Sequence, residues 1–308
     1  MSTASAPGKI ILFGEHAVVY GRPALAVPVT QVHTDVEITE GQGTGIRIDA
    51  PNIFLQTQLS ALSSTNPLRS VIEKTLQTFS ISASPALTIR ILSTIPVASG
   101  LGSGAAVSVA IIRALAAHFG QAIDDERVNQ LAYDVEKIHH GTPSGIDNTV
   151  ITFAQPVYFV KEQPIETLQV LRPFTIVIAD TGILAPTRES VGDVRKLWAS
   201  NPKRWELVFD KIGEIARAAR QAIQNGEWQA MGALMDTNQA LLQEMTVSSP
   251  ELDKLVVVAK TSGAEGAKLS GGGRGGNMIA LVRPENAEKV AFALLDSGAR
   301  QTIVTVVQ

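Results

Sequence analysis

The sequence predicts a mixed α+β chain built in two layers, with a split βαβ, or ferredoxin-like, unit in its C-terminal third. β-Branched alternation at residues 24–39 and 86–92 is interleaved with apolar residues at helical spacings of three and four. Residues 250–307 read helix, strand, glycine turn, strand, helix, strand, an order that lacks only one earlier strand of a split βαβ unit. The chain has 308 residues, of which 45% are hydrophobic and 18% charged, so it can bury a sizeable core. Disorder is excluded as the global state.

The elements follow in order. Residues 9–13 (KIILF) form a short apolar strand that ends at Gly14, and residues 24–39 a longer one. ALTIRIL at 86–92 alternates like a strand with one face on a core. A glycine-rich stretch follows, then a helical run over 105–119 that Gly120 can close. A second helix begins near Asp124, carries Val128, Leu131, Val135 and Ile138 on one face, and stops before Gly141 and Pro143. Residues 151–160 and 174–179 return to strand patterning. Two long amphipathic helices are expected over 205–223 and 228–245. Ser249 then offers an N-cap, with Pro250 at the first helical position, to a helix over 250–261. Strands at 267–269 and 277–282, a helix over 285–295 and a strand over 301–307 complete the chain. The change of pattern puts a domain boundary near residue 170, giving domains 1–170 and 171–308.

Lys and Arg total 26 against 29 Asp and Glu, a net charge of −3. No basic excess exists to neutralise a nucleic-acid backbone. The absence of cysteine excludes disulfides, thiolate zinc and cysteine nucleophiles. The apolar run after Lys9 is too short for a signal peptide, and residues 97–119 open with loop chemistry rather than a membrane span. A soluble, cytosolic protein without a membrane partner is expected.

Three segments could carry chemistry. PGKIILFGEH places Lys9, Glu15 and His16 along and after a strand, where such groups either project into a cleft or remain solvated at a strand end. PVASGLGSGAA lies between a strand and a helix. Its glycines suit either a tight turn or a phosphate site, with amides and a helix N-terminus turned toward an anion. It is no Walker A loop, and its spacing is GxGxG rather than GxGxxG. EKIHHGTPSGID sets Glu136 near a helix end and Asp147 after a Gly/Pro loop, a spacing that suits a metal ligand and a proton acceptor. Glu136 and His140 could share a helical face, but the zinc reading finds no partner ligands elsewhere. A fourth cluster, GGGRGG at 271–276, contains GxGxxG but precedes a strand, the reverse of the dinucleotide-binding context.

Taken together and in this order, the segments resemble the GHMP small-molecule kinases, and within them the mevalonate kinase family. PGKIILFGEHAVVYGRPALA is similar to that family's first motif, PVASGLGSGAA to its ATP-phosphate loop, EKIHHGTPSGIDNTV to its acidic segment and KLSGGGRGGNMIAL to its third motif. The resemblance implies the GHMP kinase fold, with an N-terminal α/β domain and a C-terminal ferredoxin-like domain. It implies ATP- and Mg²⁺-dependent phosphorylation of mevalonate's 5-hydroxyl, with Asp147 as base and Lys9 as charge stabiliser. Glu15 and His16 would face mevalonate. Pro96, Ser99, Gly100, Leu101, Gly102, Ser103, Gly104 and Ala105 would bind ATP, and Glu136 with Ser103 would hold Mg²⁺. Family members are often homodimers. Three positions depart from the pattern: Gly104 stands where a second serine is usual, and Arg274 and Asn277 replace a commoner glycine and cysteine. Another GHMP kinase, acting on phosphomevalonate or a sugar, and a non-catalytic binding protein on this fold are the alternatives.

Overall fold

The computed structural model describes the chain except residues 82–84, 97, 98, 141, 142, 165, 185 and 186 and the side chains of His139 and His140. In order, the elements are β1 (Ser2–Phe13), β2 (Ala24–Glu40), β3 (Ile46–Ala50), β4 (Leu55–Gln58), α1 (Pro67–Thr78), β5 (Leu87–Ser93), α2 (Ser103–His118), α3 (Asp125–His140), α4 (Ile146–Phe153), β6 (Val157–Phe159), β7 (Glu166–Thr167) and β8 (Phe174–Asp180). Then come α5 (Thr187–Ser200), α6 (Pro202–Asn225), α7 (Trp228–Glu244), α8 (Pro250–Thr261), β9 (Gly266–Leu269), β10 (Asn277–Val282), α9 (Ala287–Asp296) and β11 (Gln301–Val307). The expected α+β class holds.

The chain divides into two interleaved compact units: Met1–Gly8, Val32–Val97 and Gly102–Ala154 form one, and Lys9–Gln31, Ala98–Leu101 and Gln155–Gln308 the other. Strands β1 and β2 each run from one unit into the other.

In the first unit β5 pairs antiparallel with β2 and parallel with β3, and β4 closes the edge on β3. Helix α2 is apolar on nearly every side. It buries Val109, Ile111, Ile112 and Leu115 and packs against α1, α3 and α4. Its one interior cation, Arg113, donates to Asp125 Oδ1 and to the carbonyl of Thr152, both at 2.6 Å.

Residues 151–160 correct the sequence reading, because residues 151–153 end α4 and only Val157–Phe159 is strand. The run IDNTVITF is β-branched but buried around most of its circumference. A short apolar run of that kind has no period to separate helix from strand. Gly145 at φ 86° starts the helix, Thr149 Oγ1 donates back to the Gly145 carbonyl at 2.7 Å, and Ala154 in the left-handed region ends it.

The second unit holds a four-stranded antiparallel sheet in the order β11-β8-β10-β9. Strand β8 is the earlier strand missing from the C-terminal pattern, and with it the order is that of a split βαβ unit. Helices α6, α8 and α9 cover one face, where Val177, Ala179, Met278 and Ala280 meet Phe209, Ile212, Leu252, Leu255, Val290 and Leu294. Between α7 and β9 the backbones touch: a Cβ on Gly266 would lie 2.2 Å from the Gly232 carbonyl oxygen. The segment before β2 docks on α6, with Tyr20 stacked on Phe209 at 4.2 Å and Arg22 paired with Glu206 and Asp210.

Candidate active site

The first motif is a strand followed by a forced turn. Gly14 has φ +97°, and a Cβ there would lie 2.5 Å from Ala24 Cα, so only glycine fits. His16 follows at φ 61°, an uncommon conformation for a residue with a Cβ, and opens a 3₁₀ turn over Ala17–Tyr20. Lys9, Glu15 and His16 are 3%, 1% and 5% exposed. Solvated strand-end charges are thereby excluded.

Glu15 meets Lys268 of β9 in an ion pair from which water is excluded, and Lys268 Nζ also donates to the Leu269 carbonyl at 2.6 Å. Burial pushes the Glu15 carboxyl up and the Lys268 ammonium down, and the attraction between the two charges opposes both shifts. Glu15 Oε2 has no hydrogen-bond partner among the described residues. His16 Nε2 lies 3.1 Å from the Gly272 carbonyl, which can only accept, so that nitrogen carries the proton. His16 Nδ1 is left as a buried lone pair with no partner among the described residues. Burial first, then Arg274 and Lys268, lower its pKa to about 4, so the ring is neutral near pH 7.

The glycine loop is held from the same unit. The Ser99 carbonyl accepts from Asn277 Nδ2, and the Leu101 carbonyl accepts from the Lys9 amide at 3.0 Å. Gly100 and Gly102 take φ values of +80° and +78°, and Gly102 caps α2. Ser103, Gly104 and Ala105 form the helix's first turn, which holds no acidic side chain to compete for an anion. Gly104 is exposed, and a Cβ there would meet nothing within 4 Å. Pro96 is half-buried, whereas Val97 and Ala98 lie outside the described residues.

Glu136 sits in the last turn of α3 and Asp147 in the first turn of α4, both half-buried in the first unit. Asn148 donates to the Asn129 carbonyl at 3.3 Å and also to its side-chain oxygen, tying the start of α4 to α3. The side chain of His140, which the zinc reading needed, lies outside the described residues. Among the described residues no group of three or more His, Asp or Glu forms a metal cluster.

The sequence reading did not single out Lys268, Ser270 or Asp193. Ser270 Oγ donates to the Ile11 carbonyl at 2.8 Å, joining the third motif to β1. Arg274, at φ 61°, donates to Asp193 Oδ2 at 2.5 Å, so its charge is paired. Asp193 also accepts from Lys196 at 2.8 Å, and the two cations pull its carboxyl down to about 2. The Lys that opens KLSGGGRGGN was the available signal for Lys268, but nothing local marks its partner. Two cavities, of about 670 Å³ beside Trp228 and about 640 Å³ beside Leu168, include none of these motif residues.

Residues 66–155 match the family described as GHMP kinases N terminal domain, and residues 219–300 match GHMP kinases C terminal. Mevalonate kinases of Thermococcus sibiricus and Pyrococcus horikoshii are each 34% identical, over 98% of this chain and 95% of theirs. The chain belongs to the GHMP kinase family. Among solved structures, this GHMP kinase is similar to L. major mevalonate kinase in complex with R-mevalonate, with a TM-score of 0.87, 30% identity, and coverage of 100% of this chain and 96% of that one. A Streptococcus pneumoniae phosphomevalonate kinase shares the fold at 16% identity, with a TM-score of 0.83. Its relatives over the full length make this GHMP kinase an enzyme of the phosphotransferase class. Among the described residues no helix is long and apolar enough to cross a membrane.

Proposed function

We propose that this enzyme transfers the γ-phosphoryl group of ATP to the 5-hydroxyl of mevalonate, giving 5-phosphomevalonate and ADP in isoprenoid biosynthesis. The observation that carries the reading is the buried cluster of the first motif, where Glu15 Oε2 and His16 Nδ1 have no hydrogen-bond partner among the described residues. Buried polar atoms of that kind call for a partner, and mevalonate's hydroxyls supply donors. The full-length similarity to mevalonate kinases supports the choice of substrate.

Asp147 accepts the proton of the 5-hydroxyl as its oxygen attacks the γ-phosphorus. Lys9 favours the developing alkoxide and balances its charge, and the amides from Gly100 to Ala105 hold the phosphates. Glu136 and Ser103 offer hard oxygen donors that fit Mg²⁺, which takes only one or two protein ligands when phosphates fill its shell. Bound there, Mg²⁺ supplies neutralisation of phosphate charge. Residues 1–170 and 171–308 are read as the two functional domains, and the enzyme as a cytosolic homodimer without nucleic-acid or membrane partners.

The test is ADP release against mevalonate, phosphomevalonate and a sugar panel, with Asp147→Asn alongside. Mevalonate is expected to be the substrate, and Asp147→Asn to lower kcat by roughly 10²–10⁴ with KM for ATP little changed. Turnover of phosphomevalonate or a sugar alone would overturn the substrate, and wild-type rates in Asp147→Asn would overturn the base.

A further inference from the structure

Asn277 opens β10 and is 2% exposed, and its side-chain amide donates to the backbone carbonyl of Ser99, itself a buried residue. A carbonyl acceptor requires the nitrogen end of the amide, so the assignment of the side chain is fixed by its partner. The same segment closes in from beside it: a Cβ on Gly276 would lie 3.6 Å from Ser99 O, and one on Gly100 would lie 3.9 Å from Asn277 Nδ2.

The Ser99 carbonyl and the Gly100 amide belong to one planar peptide unit and point in opposite directions. Whatever holds the carbonyl therefore aims the amide the other way. Gly100 sits at φ +80°, and glycine tolerates the mirror conformation about as well, so this peptide plane can turn over at little steric cost. Two residues further on, the Lys9 amide holds the Leu101 carbonyl at 3.0 Å and thereby aims the amide of Gly102. That second anchor is backbone and is available to any sequence. The first is a side chain, and a cysteine in its place would offer only a weak donor.

We infer that Asn277 is a positioning residue for the nucleotide: by holding the Ser99 carbonyl it pre-sets the Gly100 amide as a phosphate donor before ATP arrives. This rests on the proposed binding of ATP phosphates at residues 99–105. Without the anchor, the plane loses one of its holds, and nucleotide binding must supply that part of its orientation. The cost then falls on affinity for ATP and ADP, because a pre-oriented amide binds an anion without that demand. Mevalonate does not depend on this peptide, so its KM stays unchanged.

The experiment compares wild type, Asn277→Cys and Asn277→Asp in the full chain. Kd for ADP is measured by calorimetry, and KM for ATP and for mevalonate by ADP release. Losing the buried bond is expected to raise Kd for ADP and KM for ATP about tenfold in Asn277→Cys, with KM for mevalonate within twofold. In Asn277→Asp the carboxylate faces a carbonyl and cannot donate, but its protonated form can. The ratio of its Kd for ADP to that of wild type is expected to shrink as pH falls from 8 to 6. A general structural role would weaken both substrates alike and give no such pH dependence. Wild-type nucleotide affinity in Asn277→Cys, or equal losses for both substrates, overturns the inference. Absence of nucleotide binding in the wild type itself would instead remove the phosphate-loop reading on which it stands.

Discussion

His16 is kept neutral by burial and by the cations Arg274 and Lys268, with a pKa of about 4 against an ordinary 6.5. Between those two values the unfolded chain binds a proton that the folded chain does not. Stability is therefore lost as pH falls through this window and is unaffected above it. The loss from this residue alone amounts to about 2 kcal/mol at pH 5. Urea unfolding at pH 7 and pH 5 should show His16→Gln losing less than wild type by that order. An equal loss in both would show that the ring does not titrate as its surroundings dictate. His16 was legible in the sequence as a candidate because it follows a strand and Gly14. Its tautomer was not, since that depends on Gly272, 256 residues away. Lys268 was hidden for the same reason: a cation beside a glycine run has no local mark of burial, and only the folded chain brings it to Glu15.

Elements with punctuation at both ends were read correctly. Helix α8 spans Pro250–Thr261 as expected, because Ser249 and Pro250 mark its start; Ser249 Oγ accepts the Leu252 amide at 3.3 Å. Ser249→Ala should therefore lower unfolding free energy by about 1 kcal/mol while leaving turnover unchanged, as read by urea midpoint and ADP release. No change in midpoint would mean that water replaces the cap. Helix α1 was missed although Asn66 and Pro67 are the same kind of signal, with the Leu68 amide donating to Asn66 Oδ1 at 2.9 Å. Its Leu68, Val71, Ile72 and Leu76 recur at spacings of three and four, so this helix was legible in the sequence and was passed over. Short strands β3 and β4 and the helix α5 were unread as well. In α4 the β-branched run misled, because burial on most sides erases the alternation that separates strand from helix.

At the scale of the molecule, the split βαβ order was legible in the last third, and β8 completed it. The interleaving of the two units was not, since periodicity carries no information on which distant segment pairs with which. Residues 9–31 belong to the unit otherwise built from residues 98–101 and 155–308. Fragments 1–154 and 155–308 made separately should accordingly fail to fold, the second leaving Lys268 buried without Glu15 or else solvated and its sheet unpacked. Co-expression should recover protease-resistant protein, and a cooperatively folding 155–308 fragment on its own would contradict this. The same division sets a schedule for biosynthesis. Glu15 leaves the ribosome 253 residues ahead of Lys268, a wait of roughly 13–50 s at about 5–20 residues per second. Throughout that interval β1 has only β2, made directly after it, to pair with, and the rest of its unit, residues 155–308, is still to come, which leaves a window that a holding chaperone can fill.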